Sequence, residues 1–421
     1  MWDKLIKRYV CVASYEAAIQ ALHGLQSNSN YLKLVTKDNS QASAVCKLHD
    51  TKKYLIRSGI TLEKLDTLSV IHIAGTKGKG STCAYTEGIL REHGFKTGFF
   101  SSPHLVNARE RIRISGQPIS KIQFTQNFWK IYKKLEDTKE HESDMPTYFK
   151  FLTILMFNIF LDEHVDVAII EVGIGGLYDC TNVVRNPVCV GITSLGLDHT
   201  SLLGNTIEDI AYQKSGIFKS GTVAFSVPQL SQAMRILEKR AIERNFQQQN
   251  ASIAIQMATE WLLTRDKVAS VSMDKIAIAL TSCKWPGRMQ ILRSSIGDFF
   301  LDGAHTIESI ECCISWFNDI SSGSKGKKVL IFNTSGIKSL DNEMNSSSTD
   351  EQRIKCESNS KIWGMNSVVA NNVLEVLEDI KKNLEQKDNC DRYQILVTGS
   401  LHLIGAVLAI LDPNLTMNTE F

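Results

Sequence analysis

The sequence predicts an α/β protein: a nucleotide-binding domain with a mostly parallel sheet over residues 1–287, then a smaller C-terminal α/β domain over 288–421. Three observations carry this expectation. Short apolar runs of strand length alternate with longer stretches of helical spacing, which implies a parallel sheet covered on both faces. Glycine-rich turns follow the apolar runs directly. Trp285-Pro286-Gly287 then punctuates the chain before the alternation resumes.

Within residues 12–34, Tyr15, Ala18, Ile19, Leu22 and Leu25 recur at the spacing of an amphipathic helix. Residues 68–74 read as a buried strand, and residues 81–93 as the helix beyond a glycine turn. A helix over 149–160, a strand over 165–171 and a turn containing Gly173, Gly175 and Gly176 follow. Residues 188–194 read as a further strand and 207–214 as a further helix. Strands in the second domain are expected at 299–301, 328–333 and 394–398. The stretch 339–360 is dominated by Ser, Asn, Asp and Glu and reads as loop.

Forty-seven basic residues against 45 acidic ones leave a formal charge of +2, so neither a nucleic acid nor a stable membrane association is called for. An anionic substrate must be held by a local site. None of the ten cysteines forms a CxxC pair, and reduced intracellular thiols are the expectation. Met1-Trp2-Asp3-Lys4 lacks the basic head and apolar run of a secretory signal. Early acidic residues weigh against a mitochondrial presequence. A cytoplasmic protein is expected, with a mitochondrial form only from another start or transcript. The apolar run at 149–161 is too short to span a bilayer comfortably and reads as a buried helix.

The strongest motif is Gly75-Thr76-Lys77-Gly78-Lys79-Gly80-Ser81, after a strand and before a helix. Glycines let successive N–H groups turn toward phosphate oxygens, and a helix N-terminus adds its dipole. Lys79 suits the β and γ phosphates, and the Ser81 hydroxyl suits magnesium. The spacing departs from the Walker form, which would place glycine at Ile73 and a hydroxyl at Gly80.

Glu171 ends an apolar strand, where open parallel sheets place ligands, so its carboxylate could join a magnesium shell. A strand-end residue paired with an arginine is the plain alternative. His199 is either a metal ligand or a loop histidine, and Lys214 alone reads as a surface lysine. Asp302 could accept hydrogen bonds from ribose or a substrate ammonium, or simply cap its own turn. Arg288 follows the interdomain punctuation, a natural place to meet phosphate. Thr398-Gly399-Ser400 reads as an anion-facing turn or a helix cap.

Taken together these blocks resemble the folylpolyglutamate synthases, of eukaryotic type, within the Mur-ligase superfamily. The resemblance runs through 15–25, 71–81, 99–105, 109–114, 146–151, 171–182, 197–219, 285–288, 301–306 and 397–403. It implies a Mur-ligase-type fold with ATP phosphates cradled by Gly75, Thr76, Gly78, Lys79, Gly80 and Ser81. Magnesium would be held by Ser81 and Glu171, with Ser102 and His199 at a second ion. Lys214 matches a lysine carbamylated in some relatives, which places it with Lys79 and His199 among the catalytic residues. Asn250, Arg288 and Asp302 match nucleotide contacts, while His305 and Ser400 lie in blocks resembling the amino-acid end of the site.

The implied activity is ATP-dependent ligation of L-glutamate to the terminal γ-carboxylate of a reduced folate through an acyl phosphate, by a monomer. The implied cofactors are ATP and Mg2+, with room for a monovalent cation. A degenerate nucleotide-binding paralogue without turnover and a dihydrofolate synthase are the alternatives. Three departures stand out: Leu177 where the family usually has arginine, a shortened stretch over 229–250, and the missing apolar strand after residue 336. In the shortened stretch only Gln247 and Asn250 fit the usual block.

Overall fold

The computed structural model describes residues 14–25, 41–242, 248–249, 253–264, 271–294, 296–323, 326–333, 357, 368–370, 372–385, 392–413 and 416. Asn250 and Gln247 lie outside them, as does nearly all of 334–367. The chain divides into two compact units, Met1–Pro103 with Ala108–Cys283, and His104–Asn107 with Lys284–Phe421. Lys284 to Gly287 thus belong with the second unit, four residues before the boundary read from the sequence.

The first unit holds an eight-stranded sheet of order β4-β3-β2-β5-β1-β6-β7-β8. Its strands are β1 (Val70–Ala74), β2 (Thr97–Phe100), β3 (Ile112–Ile114), β4 (Gln117–Pro118), β5 (Val167–Glu171), β6 (Cys189–Ile192), β7 (Val223–Ser226) and β8 (Gln248–Gln249). Pairing is parallel from β2 through β8 and antiparallel only along the β2-β3-β4 edge. The strand pairing of Gln248–Gln249 with β7 lies inside the stretch that reads as shortened. Every residue of β1 and β5 is buried, because helices cover both faces.

Helices of this unit are α1 (Tyr15–Gly24), α2 (Gln41–Ser58), α3 (Leu62–Asp66), α4 (Lys79–Glu92), α5 (Lys121–Asp137), α6 (Tyr148–Asp162), α7 (Thr200–Leu203), α8 (Ile207–Lys214), α9 (Ser231–Ile242), α10 (Ile253–Leu263) and α11 (Met273–Ser282). Local chemistry sets several starts. Ser14 and Ser120 accept from the N–H groups of Ala17 and Gln123, and Thr206 with Asp209 forms a capping box. Helix α6 is buried from Lys150 to Leu161, as its apolar run predicts. Its residues join Phe100, Phe124 and Phe128 in the main core.

A buried carboxylate pins α2 to the loop before α6. Asp144 accepts from the Tyr54 hydroxyl at 2.9 Å, Lys53 at 2.8 Å, Arg57 at 2.6 Å and the Glu140 N–H at 2.9 Å. Burial pushes this carboxyl up, but the Arg57 and Lys53 charges hold it well below the usual range.

The second unit has a four-stranded sheet of order β11-β12-β10-β9. Its strands are β9 (Gln290–Ser294), β10 (Gly297–Leu301), β11 (Lys328–Phe332) and β12 (Tyr393–Thr398), with α12 (Ile307–Ser321), α13 (Val373–Glu385) and α14 (Leu401–Leu411). Strand β9 pairs antiparallel with β10, and the other pairs are parallel. Its core gathers Leu292, Phe299, Ile395, Val397 and Val407. Among the described residues no helix is long and apolar enough to cross a membrane. The described cysteines 83, 180, 189, 283, 312 and 313 are free thiols.

Candidate active site

The turn after β1 is built from two halves. In the first, Thr76 and Lys77 donate their N–H groups to the carbonyl of Ser194, at 2.9 and 3.3 Å. Those two groups are therefore committed to the chain leaving β6. In the second half, Gly78 adopts φ 85° and serves as the N-cap of α4 without a side-chain cap. The helix starts at Lys79, two residues earlier than its pattern suggests, because glycine tolerates that left-handed turn. The first-turn N–H groups at Lys79, Gly80 and Ser81 have no acceptor within the helix. They are the ones placed for an anion.

Gly75 is required for a different reason. Its φ is 153°, and a Cβ there would overlap the Thr193 hydroxyl. Its carbonyl oxygen then becomes a meeting point: Lys79 Nζ donates to it at 3.1 Å and Lys214 Nζ at 2.7 Å. Lys214 is buried at the end of α8, not on the surface as its bare context suggests. Burial, and then the neighbouring Lys79 charge, pull its pKa down from 10.5 to about 7.

His199 precedes α7 in a left-handed conformation, φ 49°, with its N–H bonded to Asp198 Oδ1 at 2.8 Å. Its Nε2 lies 3.7 Å from Asp198 Oδ2. Burial lowers its pKa; Asp198 opposes that, and Lys214 and Lys79 reinforce it. The shift favours the neutral imidazole, which has a lone pair to offer. Glu171 lies at the carboxyl end of β5, beside Ile73 of β1, and is buried. Its Oε2 accepts the Ser102 N–H at 3.1 Å. Ser102 therefore reaches Glu171 through its backbone.

In this unit the structure brings together Gly75–Ser81, Lys214 and the His199 loop, with Glu171 and Ser102 at the neighbouring strand ends. Sequence reasoning assigned no role to Ser194, Thr193, Asp179 or Asn182. Asn182 donates to the carbonyls of Leu177 and Gly216 at 3.0 and 3.2 Å, tying the turn after β5 to the end of α8. The turn-forming run Asp179-Cys180-Thr181-Asn182 was the available signal. Leu177 lines a cavity of about 340 Å3 together with Tyr178, Lys52 and Lys219.

In the second unit, Arg288, Asp302, His305 and Ser400 come from adjacent turns. Asp302 Oδ1 accepts the Ala304 N–H and Oδ2 the Met289 N–H, each at 2.9 Å. The carboxylate thus organises two turns, as the cap reading expects, with lone pairs remaining for a ligand. Gly303 leaves no room for a Cβ, which would meet Arg288 and Leu401. His305 is exposed and bonds the Gly303 carbonyl at 3.0 Å through Nδ1. Ser400 is the N-cap of α14, its hydroxyl accepting from Leu403 at 3.1 Å. Of the two readings left open there, the helix cap is the one present. Asn250, the remaining nucleotide candidate, lies outside the described residues.

Known proteins match this architecture. The Mur ligase middle domain model matches residues 73–292. The mitochondrial folylpolyglutamate synthase of Bos taurus is 45% identical over 377 residues, covering 76% of this chain. The chain spans 64% of that relative's length. The folylpolyglutamate synthase of Saccharomyces cerevisiae (strain YJM789) is 34% identical, with 95% of this chain and 87% of the yeast protein covered. A solved FPGS–AMPPCP–folate complex superposes with a TM-score of 0.70 at 23% identity, over 95% of this chain and all (100%) of the other. At that identity the likeness establishes the fold. Half the chain lies under the Mur-ligase model, and the yeast protein is matched almost end to end. This chain belongs to the folylpolyglutamate synthase family of the Mur-ligase superfamily.

Proposed function

We propose that this protein joins L-glutamate to the terminal γ-carboxylate of a reduced folate at the expense of ATP. The observation that carries the reading is the convergence of Lys79 and Lys214 on one backbone carbonyl of a phosphate-binding turn. The names of the relatives and the nucleotide and folate in the solved complex support the substrate assignment.

The donor set suits magnesium. Glu171 and Ser81 supply hard oxygens, and His199 a neutral nitrogen. Among the described residues no cluster of three or more His, Cys, Asp or Glu is placed to hold a metal. A bound magnesium ion would complete its shell with phosphate oxygens and water. When bound, magnesium would offset charge on the phosphates and so ease approach of a second anion.

The carboxylate oxygen of the folate attacks the γ-phosphorus, ADP departs, and an acyl phosphate forms. The glutamate amine then attacks the acyl carbon, and phosphate leaves as the nitrogen loses a proton. Lys79 would face the transferring group, while the α4 N–H groups fix the phosphate tail. Lys214, whose pKa is lowered to about 7 and which is therefore partly unprotonated near neutrality, is poised to accept carbon dioxide and become the carbamate its family match implies. Asp302 and Arg288 match nucleotide-contacting positions of the family.

Purified protein with magnesium-ATP, tetrahydrofolate and isotopically labelled glutamate tests this. Folate products lengthened by one or more glutamates, with one ADP per bond, are expected. Nucleotide binding without product would establish the degenerate paralogue instead. Product formed from dihydropteroate but not from tetrahydrofolate would establish a dihydrofolate synthase.

A further inference from the structure

Strand β1 carries one polar side chain in its buried centre. His72 is fully buried, and its Nε2 lies 2.8 Å from the Thr181 hydroxyl. That hydroxyl donates to Asp179 Oδ1 at 2.5 Å, and the Thr181 N–H donates to the same oxygen at 2.9 Å. Asp179 Oδ2 accepts the Ile174 N–H at 3.1 Å. Three donors therefore face the two carboxylate oxygens, and they oppose the burial that raises the Asp179 pKa.

The polarity of the chain follows. Both Thr181 groups donate to Asp179 Oδ1, so the hydroxyl proton points at Asp179. Thr181 Oγ1 can then only accept from His72, which fixes the imidazole as the neutral tautomer protonated on Nε2. Burial, helped by the Lys219 charge, lowers the His72 pKa to about 3, consistent with a neutral ring. Among the described residues Nδ1 has no hydrogen-bond partner. A leucine at this position would avoid burying that unpaired acceptor, and the rest of β1 is aliphatic. The histidine costs stability on one side of its ring, and the contact it makes with Thr181 is what offsets the cost.

We infer that His72 is a positioning residue: through Thr181 it orients the Asp179 carboxylate that holds the Gly173–Ile174 turn, two residues beyond Glu171. Strand β1 also leads into the phosphate turn, so one hydrogen-bond chain links both loops of the proposed magnesium-ATP site. The kinetic consequence rests on the ligase reading above; the tautomer does not.

Nitrogen-15 NMR of histidine-labelled wild-type protein reads the tautomer directly. At pH 7, His72 should show a protonated Nε2 and a bare Nδ1. A protonated Nδ1 or an imidazolium would overturn the inference whether or not the protein is a ligase. Kinetically, His72→Leu should lower kcat at least tenfold and raise KM for magnesium-ATP, at temperatures well below its melting transition. His72→Gln, which keeps a donor, should recover most of that loss. Thr181→Val, which removes both the link to His72 and the hydroxyl bond to Asp179, should cost at least as much as His72→Leu. Unchanged kcat and KM in folded His72→Leu, or no recovery by Gln, would reduce His72 to a packing residue. Should wild-type show no turnover, affinity for magnesium-AMPPCP replaces the kinetics, with the same ordering of variants.

Discussion

Lys79 and Lys214, 135 positions apart in sequence, share one acceptor, the Gly75 carbonyl oxygen, at 3.1 and 2.7 Å. Two ammonium groups so close repel each other. Burial, and then the Lys79 charge, make Lys214 yield its proton more readily than an exposed lysine does. A division of labour between the two lysines follows from this geometry.

Lys79→Ala should therefore abolish phosphoryl transfer. A loss of about 10^2–10^3 in the rate of ADP formation is expected, the usual scale for removing one preorganised charge-stabilising group. Melting temperature should change little, because Lys79 is only partly buried. Turnover within a factor of two of wild type would remove Lys79 from the mechanism.

Lys214 makes a pH-dependent prediction. Its folded pKa is lowered to about 7 from 10.5, so between these values the unfolded chain binds more protons than the folded one. Stability should rise with pH across that window and carry its full penalty below it. In buffer depleted of carbon dioxide, Lys214→Met should flatten the rise and gain on the order of a few kcal/mol at pH 7. Urea midpoints at pH 7 and 9 check this. With 13C-bicarbonate present, wild type should show a carbamate carbon resonance that Lys214→Met lacks.

Gly75→Ala introduces a Cβ into the space of the Thr193 hydroxyl, at a φ of 153°. The turn must shift, and both lysines lose their shared acceptor. A destabilisation of about 2–4 kcal/mol is expected, typical of combined overpacking and backbone strain. Nucleotide affinity should fall with it. Calorimetry of magnesium-AMPPCP binding, alongside denaturant melts, separates the two effects.

Leu177 is a departure that the structure makes intelligible. Its side chain borders the cavity that Lys52 and Lys219 also line. An arginine there would add a third cation to that wall. Restoring it by Leu177→Arg should not raise ligase activity, and should lower stability by about 0.5–1 kcal/mol through like-charge repulsion, less at high salt. A several-fold gain in kcat/KM would show that the arginine has a role leucine does not fill.

The glycine turn after β1 and the strand-end place of Glu171 were legible because glycine spacing and strand ends are local signals. The same holds for α8, whose capping box and apolar spacing fix residues 207–214 unaided. What spacing does not report is a partner more than a hundred residues away. Thr76 and Lys77 look like phosphate donors until Ser194 is found accepting from both. Lys214 reads as a surface lysine until the fold buries it against Gly75. The antiparallel β3 and β4 are only three and two residues long, too short for an alternation pattern to register. At Ser400 a hydroxyl before an apolar helix supports a cap and an anion contact equally, and the 3.1 Å bond to Leu403 establishes the cap.

Glu171→Gln is the most direct measurement. The amide oxygen can still accept the Ser102 N–H, so the fold should melt as wild type does, while the charge proposed to hold magnesium is gone. Magnesium-dependent ligation of glutamate to tetrahydrofolate should fall by about 10^2 or more. Ligation retained at the wild-type rate, with the same magnesium requirement, would contradict a metal-bound triphosphate seated between the Gly75 turn and the end of β5.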